Sequence, residues 1–336
     1  MNDCIPDTSY FATPEFLSLV LHCMSVIEVP FHLFGAWIIL SHTPSTMSSL
    51  KWPLLNLHFW SSFMDISISL LTTPYVLFPE IAGFPLGLLS KIGFSAVFQV
   101  HFVVTVIGLV TVSILTVYSN RYYIMLGSNV SPLRKCLRLS LFLGCYVVTS
   151  TFMIPFTSMI PNQQEAVRTV FERLPCLPKY VYNSPVFVYT LDFTSVVLTI
   201  LSLFCLAAFF IFLFIGLTLF HLLKETRAVK FSQKTLSLQK KFLAGLIIQT
   251  SIPIIVGIGP ASYMGVVVPQ GYYNQALNNF SFIAISFHGL ISTAAMLLIY
   301  HSYRQATMSI LFPCWYSGSI RNMGISTVFI RKVDVL

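Results

Sequence analysis

Long apolar stretches alternate with short polar connections along this chain. Seven stretches are long enough to cross a bilayer, since a membrane span needs about 20 apolar residues. We predict spans at about residues 16–40, 54–78, 86–118, 139–160, 193–222, 242–264 and 278–300. Helices are expected because a helix satisfies its own backbone hydrogen bonds in lipid. The pattern therefore predicts an all-α membrane protein, a bundle of seven transmembrane helices.

The composition supports a membrane protein and changes the interpretation of the charge. Charged residues make up 9% of the 336 residues and hydrophobic residues 56%, whereas a soluble domain carries about 25% charged residues. The formal net charge is +8. It does not indicate a nucleic-acid partner, because the basic residues lie in short loops between the spans, as in other membrane proteins. Membrane lipid is the expected surrounding.

Lys and Arg are concentrated on every second connection. All but four of the 19 lie on one side of the predicted bundle. The exceptions are Lys91, Arg168, Arg173 and Lys179. The basic side is cytoplasmic under the positive-inside rule. We therefore predict an N-terminus outside, a C-terminus in the cytoplasm, one seven-helix domain over residues 1–304 and a short cytoplasmic tail over residues 305–336.

Two of the cysteines, Cys4 and Cys176, fall on the predicted outer side. Disulfides form and persist in that oxidising environment. Two outer cysteines leave one possible pairing. A Cys4–Cys176 disulfide is therefore predicted, and it would tie the N-terminus to the long outer loop of residues 161–191.

Polar residues interrupt three of the apolar stretches near mid-membrane. At about 1.5 Å per helical residue, Glu28, Asp65 and His288 each lie roughly 18 Å from the predicted inner boundary. Ser292 follows His288 by one turn. An ionisable residue at such depth normally faces the bundle interior and has a partner. The layer is either a switch or ion layer that rearranges on activation, or a static packing network.

Several strings spread over almost the whole chain resemble the nematode serpentine receptors of class H. These are chemoreceptors of the G-protein-coupled receptor superfamily. The strings are Leu50–Trp60, Thr73–Pro79, Ala82–Gly87, Leu174–Pro178, Gln239–Leu243 and Asn278–Thr293. The resemblance implies a multi-pass receptor in the plasma membrane of sensory neurons. Such a receptor binds a small chemical cue and signals through a heterotrimeric G protein.

The resemblance also implies a ligand cavity, entered from outside, among the third, fifth, sixth and seventh helices. Aromatic side chains suit a mostly apolar pocket with few polar anchors. The candidate lining residues are Phe94, Phe98, Gln99, Phe102, Tyr189, Tyr263 and Tyr273.

Arg121 lies where rhodopsin-like receptors carry an acidic-Arg-Tyr triplet at the end of the third helix. Asn120 precedes it here, so a local ionic lock of that kind is not expected. The residues implied to couple to the G protein are Arg121, Arg134, Lys135, Lys240 and Lys241. Anchoring at the membrane surface is the alternative role for each of them.

Two other classes of multi-pass membrane protein are alternatives to a receptor. A ligand-gated channel or transporter is the alternative, but many transporters have internal repeats and this sequence has none that we detect. An intramembrane metal-dependent hydrolase is the lesser alternative. It needs converging metal ligands, and strings such as His-Glu-x-x-His and Gly-x-Ser-x-Gly are absent. We predict no enzymatic activity, no metal and no cofactor.

Overall fold

The computed structural model describes residues 8–127, 131–174, 176–192, 194–227 and 233–313. Helices dominate this part of the chain. In chain order the helices are α1 (Pro14–His42), α2 (Ser48–Ile66), α3 (Leu88–Lys91), α4 (Ala96–Leu126), α5 (Pro132–Thr151), α6 (Gln163–Arg173), α7 (Lys179–Tyr182), α8 (Thr194–Arg227), α9 (Gln233–Gln270), α10 (Gln275–Ser286), α11 (His288–Ile299) and α12 (His301–Leu311). The strands are β1 (Pro74–Val76), β2 (Ile81–Pro85) and β3 (Phe187–Thr190).

Within the described residues, six helical segments are long and apolar enough to cross a membrane. These segments contain α1, α4, α5, α8, α9 and the pair α10–α11. The predicted second span, α2, is not among them, because polar residues such as Asn56, His58 and Asp65 lower its hydropathy. His58 and Asp65 are buried. The polar residues of α2 thus lie against other helices, as expected of ionisable groups at membrane depth.

The second span does not extend to residue 78 as predicted. Its helix begins at Ser48 and continues as a π-helical segment, Ser67–Thr72. Thr73 then adopts the left-handed conformation, with φ 42°, and Pro74 begins β1. Proline lacks an N–H and disfavours helical backbone at the residue before it. The apolar residues after Thr73 therefore form a strand, which hydropathy alone does not distinguish from the end of a span.

The third span does not begin at residue 86 as predicted. The short helix α3 comes first, and Gly93 follows it with φ 90°. The long helix α4 begins at Ala96, after Ser95, whose hydroxyl accepts the backbone N–H of Phe98. A serine in this position satisfies an amide that has no partner within the helix. The transmembrane helix therefore starts ten residues later than predicted and ends at Leu126 instead of residue 118.

The seventh span consists of two helices. α10 ends at Ser286 and α11 begins at His288, with Phe287 between them. Phe287 keeps a helical conformation, with φ −74° and ψ −12°, and its side chain does not cap α11. The first amides of a helix have no partner within it. The start of α11 therefore depends on acceptors from another helix.

A three-stranded antiparallel sheet, in the order β1-β2-β3, lies at one end of the bundle, which we call the sheet end. The N-terminal segment packs beside it. The Tyr75 hydroxyl donates to the carbonyl of Ala12 at 2.7 Å, and the Asn279 amide donates to the carbonyl of Phe11 at 2.9 Å. Burial raises the pKa of Tyr75, so its hydroxyl stays a neutral donor. These bonds close the sheet end over α1 and α10.

Candidate functional site

Asp65 supplies the acceptors that the start of α11 needs. Its carboxylate accepts the backbone N–H of Gly289 at 3.1 Å and that of Leu290 at 2.8 Å. Side-chain oxygens at the first turn of a helix normally come from the preceding residue. Here the acceptor comes from α2, more than 220 residues earlier in the chain. Asp65 is fully buried, so the position of α11 depends on this one carboxylate.

His288 lies against the same carboxylate. Its Nδ1 is 2.6 Å from Asp65 Oδ1, and its Nε2 is 3.2 Å from the hydroxyl of Ser61. A neutral imidazole with its proton on Nδ1 donates to Asp65 and accepts from Ser61. The structure thus brings together two of the predicted layer residues, Asp65 and His288.

His32, from α1, forms the third side of the layer. Its Nδ1 is 3.1 Å from the Thr293 hydroxyl, which itself donates to the carbonyl of Gly289 at 2.8 Å. Nδ1 of His32 must therefore carry a proton. Its Nε2 lies 3.3 Å from Asp65 Oδ2. This contact is an approach rather than a hydrogen bond, since His32 Nε2 has no hydrogen-bond partner among the described residues.

Glu28 bonds to the π-helical segment Ser67–Thr72 that follows α2. It is fully buried, and its Oε2 accepts from the Ser69 hydroxyl at 2.9 Å. Its Oε1 has no hydrogen-bond partner among the described residues. Ser292, the fourth predicted member, is buried one turn beyond His288, but the neighbouring Thr293 is the α11 hydroxyl that reaches His32.

His32, His58 and Thr293 complete the layer and were not among the predicted site residues. His58 donates from Nε2 to the carbonyl of His32 at 2.9 Å. The signal for His32 was available in the sequence, since it follows Glu28 by four residues and therefore lies on the same helical face.

At the opposite end of the bundle, which we call the basic end, Arg121 joins α4 to α9. Its guanidinium donates to the side-chain and backbone oxygens of Gln239. The guanidinium carbon also lies 4.8 Å from the ring centroid of Phe242. Arg121 is 3% exposed, so solvent scarcely reaches it. We call these contacts of Arg121 with Gln239 and Phe242 the latch. The latch contains no ion pair, because Gln239 is an uncharged acceptor.

The other predicted coupling residues are open to solvent at the basic end. Arg134 and Lys135 are exposed at the start of α5, and Lys240 and Lys241 are exposed near the start of α9. Arg121, in contrast, is buried.

The residues predicted to line a ligand cavity lie in separate surroundings. Phe94 and Phe98 are exposed, and their rings contact each other at an angle of 30°, with centroids 4.8 Å apart. The Phe98 ring also stacks on Phe102, and Phe102 packs edge-on against Phe63. Gln99 is buried and donates to the carbonyl of Phe94 at 2.9 Å.

The three predicted tyrosines bond to different partners at the sheet end. Tyr189 Oη is 3.0 Å from His101 Nε2, Tyr263 donates to Asn278 at 2.9 Å, and Tyr273 donates to Gln275 at 2.9 Å. None of the seven predicted residues lines either of the two cavities described next.

Two cavities open on the sides of the bundle. One, the α1–α2 cleft, has a volume of about 490 Å³ and includes His32, His58 and Ser62 in its lining. The other, the α4–α5–α8 cavity, has a volume of about 560 Å³. Its lining residues are Val104, Ile107, Gly108, Thr111, Val112, Leu115, Ser140, Leu141, Gly144, Cys145, Val148, Thr149, Phe152, Ile200, Leu203, Phe204, Leu206, Ala207 and Phe210. Both volumes fall in the range of about 300–1,000 Å³ that small-molecule sites occupy.

Cys176 is disulfide-bonded in the loop between α6 and α7. Cys23, Cys136, Cys145 and Cys205 carry free thiols. Cys4 lies outside the described residues, so its pairing with Cys176 stays a prediction.

Metal chemistry has no evident site in the described part of the chain, where no group of three or more His, Cys, Asp or Glu side chains is arranged to hold an ion. The described contacts of the polar layer are hydrogen bonds and close approaches between side chains and backbone amides.

Comparison with known proteins identifies the family. The family described as "Serpentine type 7TM GPCR chemoreceptor Srh" matches residues 12–313. A relative, serpentine receptor class H-72 of Caenorhabditis elegans, is 26% identical over 313 residues, covering 91% of this chain and 89% of the relative. The match confirms the predicted resemblance and the seven-helix, multi-pass membrane fold, and the family is not an enzyme class. The chain belongs to the class H family of serpentine chemoreceptors.

Proposed function

We propose that this chemoreceptor binds a small-molecule cue arriving from outside the plasma membrane and signals to a heterotrimeric G protein at its basic end. Family membership supports this class of function. The positive-inside rule supports an outer N-terminus and a cytoplasmic basic end. Membership in a chemoreceptor family supports sensory neurons as the cells that express it.

The burial of Arg121 is the observation that carries the coupling proposal. Its guanidinium contacts Gln239 and Phe242 on α9, whereas Lys240 and Lys241 are exposed beside it. A G protein can contact Arg121 only after α9 moves away from α4. The described arrangement is therefore a closed state, and activation shifts a pre-existing equilibrium toward an open one.

The polar layer is the proposed switch between the cue and the basic end. Asp65 holds the start of α11 through Gly289 and Leu290, and the layer also ties α1 to α11 through His32. A hydrogen-bonded layer of this kind has a second arrangement available when α11 shifts relative to α1 and α2. Static packing is the competing role, and it predicts that variants lower stability without changing signalling.

Substitutions at Gln239 test the latch without a known cue. Basal exchange of guanine nucleotide on a co-expressed G protein would be measured in membranes. Gln239→Ala should raise basal exchange by about tenfold, because a hydrogen bond to a charged group contributes roughly 1.5–3 kcal/mol. Gln239→Glu should lower it by adding a carboxylate opposite Arg121, and Arg121→Ala should abolish it.

An experiment on whole cells distinguishes a receptor from a channel and tests the orientation of the chain in the membrane. Cells carrying tags at either terminus would be exposed to an odorant panel while Ca²⁺ and membrane current are recorded. A Ca²⁺ response that disappears when G proteins are blocked supports the proposal. A current that persists under the block, or an N-terminal tag that is inaccessible from outside, would overturn it.

A further inference from the structure

The α4–α5–α8 cavity exists because two helices fail to meet. α4 packs against both α5 and α8, while α5 and α8 make little contact with each other. Gly144 on α5 widens the gap, since a Cβ added there would meet no atom within 4 Å. At Gly108, in contrast, α4 and α5 pack closely: a Cβ added to Gly108 would be 2.5 Å from Cγ2 of Thr149 on α5. The empty space therefore lies beside Gly144, bounded by a tight α4–α5 contact.

The lining suits a hydrocarbon. Among the described lining residues none carries a charge, and most are aliphatic or aromatic. The Thr111 hydroxyl donates to the carbonyl of Ile107 in its own helix, at 3.2 Å. Ser140, Cys145 and Thr149 are the other polar side chains of the lining. A ligand with several strong hydrogen-bonding groups would therefore leave most of them without partners, which is costly in an apolar surrounding.

Access to the cavity is from the side. Towards the sheet end, the lining residues Val104, Phe152 and Ile200 pack against a buried apolar cluster that includes Tyr189 of β3. At the rim of the cavity, Leu141 and Leu206 are more than half exposed and Phe204 is 40% exposed. At membrane depth these side chains face lipid, so the opening between α5 and α8 leads into the bilayer.

We propose that the α4–α5–α8 cavity binds a lipophilic cue of hydrocarbon character that enters from the bilayer. The shape and lining of the cavity carry the proposal that a hydrocarbon binds there. That the bound hydrocarbon is the cue rests on the proposed function. Leu115 lines the cavity, and Arg121 follows it by six residues on α4, about 9 Å along the helix. An occupant can therefore displace α4 close to the latch.

Photolabelling of the full-length receptor in phospholipid nanodiscs tests the site. The probe is a decyl diazirine, and decane is the competitor. We expect saturable labelling of α5 near Gly144 that decane suppresses. Gly144→Phe fills the space without a clash and should weaken probe binding by about tenfold or more. Ala207→Phe is a second filling variant on α8, for use if Gly144→Phe is not recovered folded.

Gly216→Phe is the matched control. Gly216 lies on α8 outside the lining, and a Cβ there also meets no atom within 4 Å. Retained labelling in Gly216→Phe with loss in Gly144→Phe supports the site. Labelling that decane cannot suppress means that phospholipid chains fill the cavity and overturns the proposal, as does equal labelling of both variants. Saturable binding without any change in nucleotide exchange would support the binding site but overturn its role as the cue site, and it would leave the proposed function intact.

Discussion

The two sides of the bundle are held together in different ways. Within the most apolar 18 residues of each membrane segment, 39% of the residues of α1 and 44% of those of α4 and of α10–α11 are buried. The corresponding share is 6% in the segments that contain α5 and α8. Of the first group, α1 and α10–α11 form the polar layer together with α2, whereas α5 and α8 line an apolar cavity together with one face of α4. The receptor thus combines a side whose geometry is specified by hydrogen bonds with a side that can adapt its packing.

The difference follows from what each side must satisfy. Asp65 and His32 cannot lie in the membrane without partners, so the helices that carry them are fixed relative to one another. Helices with apolar faces gain little from leaving lipid, because lipid tails are as apolar as their side chains. Matched substitutions on the two sides should therefore differ in their effect on the free energy of unfolding in detergent.

Removing the Asp65 carboxylate should have the largest effect. Asp65→Ala leaves the amides of Gly289 and Leu290 and the His288 imidazole without their acceptor. Breaking a buried charged network by removing one partner costs about 3–5 kcal/mol. Leu141→Ala, on the exposed face of α5, should change stability by less than about 1 kcal/mol. Thermal unfolding followed by thiol accessibility measures both, and comparable losses would mean that the two sides are equally constrained.

The sequence was sufficient for the seven-helix membrane fold, but not for the bounds of the second and third spans. It was also sufficient for the contact between Asp65 and His288, because depth along a helix can be counted. It was not sufficient for the break at Phe287, where neither a proline nor a left-handed glycine marks the boundary. It also missed the strand at Pro74, whose apolar residues resemble the end of a span.

The basic end could be predicted only in part. Lys and Arg positions indicate its side of the membrane, but the partner of Arg121 is Gln239, a neutral residue that carries no charge signal. The ligand site was predicted from aromatic residues near the sheet end. Phe98 on α4 is instead exposed, because the sequence alone does not say which face of α4 packs inward, and Phe94 precedes the helix.

Gly289→Ala should have the next largest effect. An added Cβ would lie 2.4 Å from Asp65 Oδ2 and 2.8 Å from the backbone oxygen of Ser61. Overpacking of this kind typically costs about 1–3 kcal/mol. The same variant should also raise basal nucleotide exchange if the layer is a switch. Loss of stability with unchanged exchange would favour static packing.

Ser69→Ala tests the Glu28 side of the layer. The Ser69 hydroxyl is the only hydrogen-bond donor to Glu28 among the described residues, and loss of a partner by a buried polar group costs about 1–3 kcal/mol. Ser202→Ala on α8 is the control, since its exposed hydroxyl donates only to the carbonyl of Leu198 in its own helix. We expect a lower melting temperature for Ser69→Ala alone; a matching decrease in Ser202→Ala would remove the distinction.

Gly216→Ala should give the smallest effect, with the opposite sign to Gly289→Ala. An added Cβ at Gly216 meets no atom within 4 Å, so the substitution brings no clash. Alanine in a helix interior is favoured over glycine by about 0.5–1 kcal/mol, because glycine loses more backbone entropy on folding. The melting temperature should therefore rise slightly, and a fall would show that α8 packs more tightly than its exposure indicates. Because both variants add the same methyl group, opposite signs would assign the difference to the surroundings of each helix.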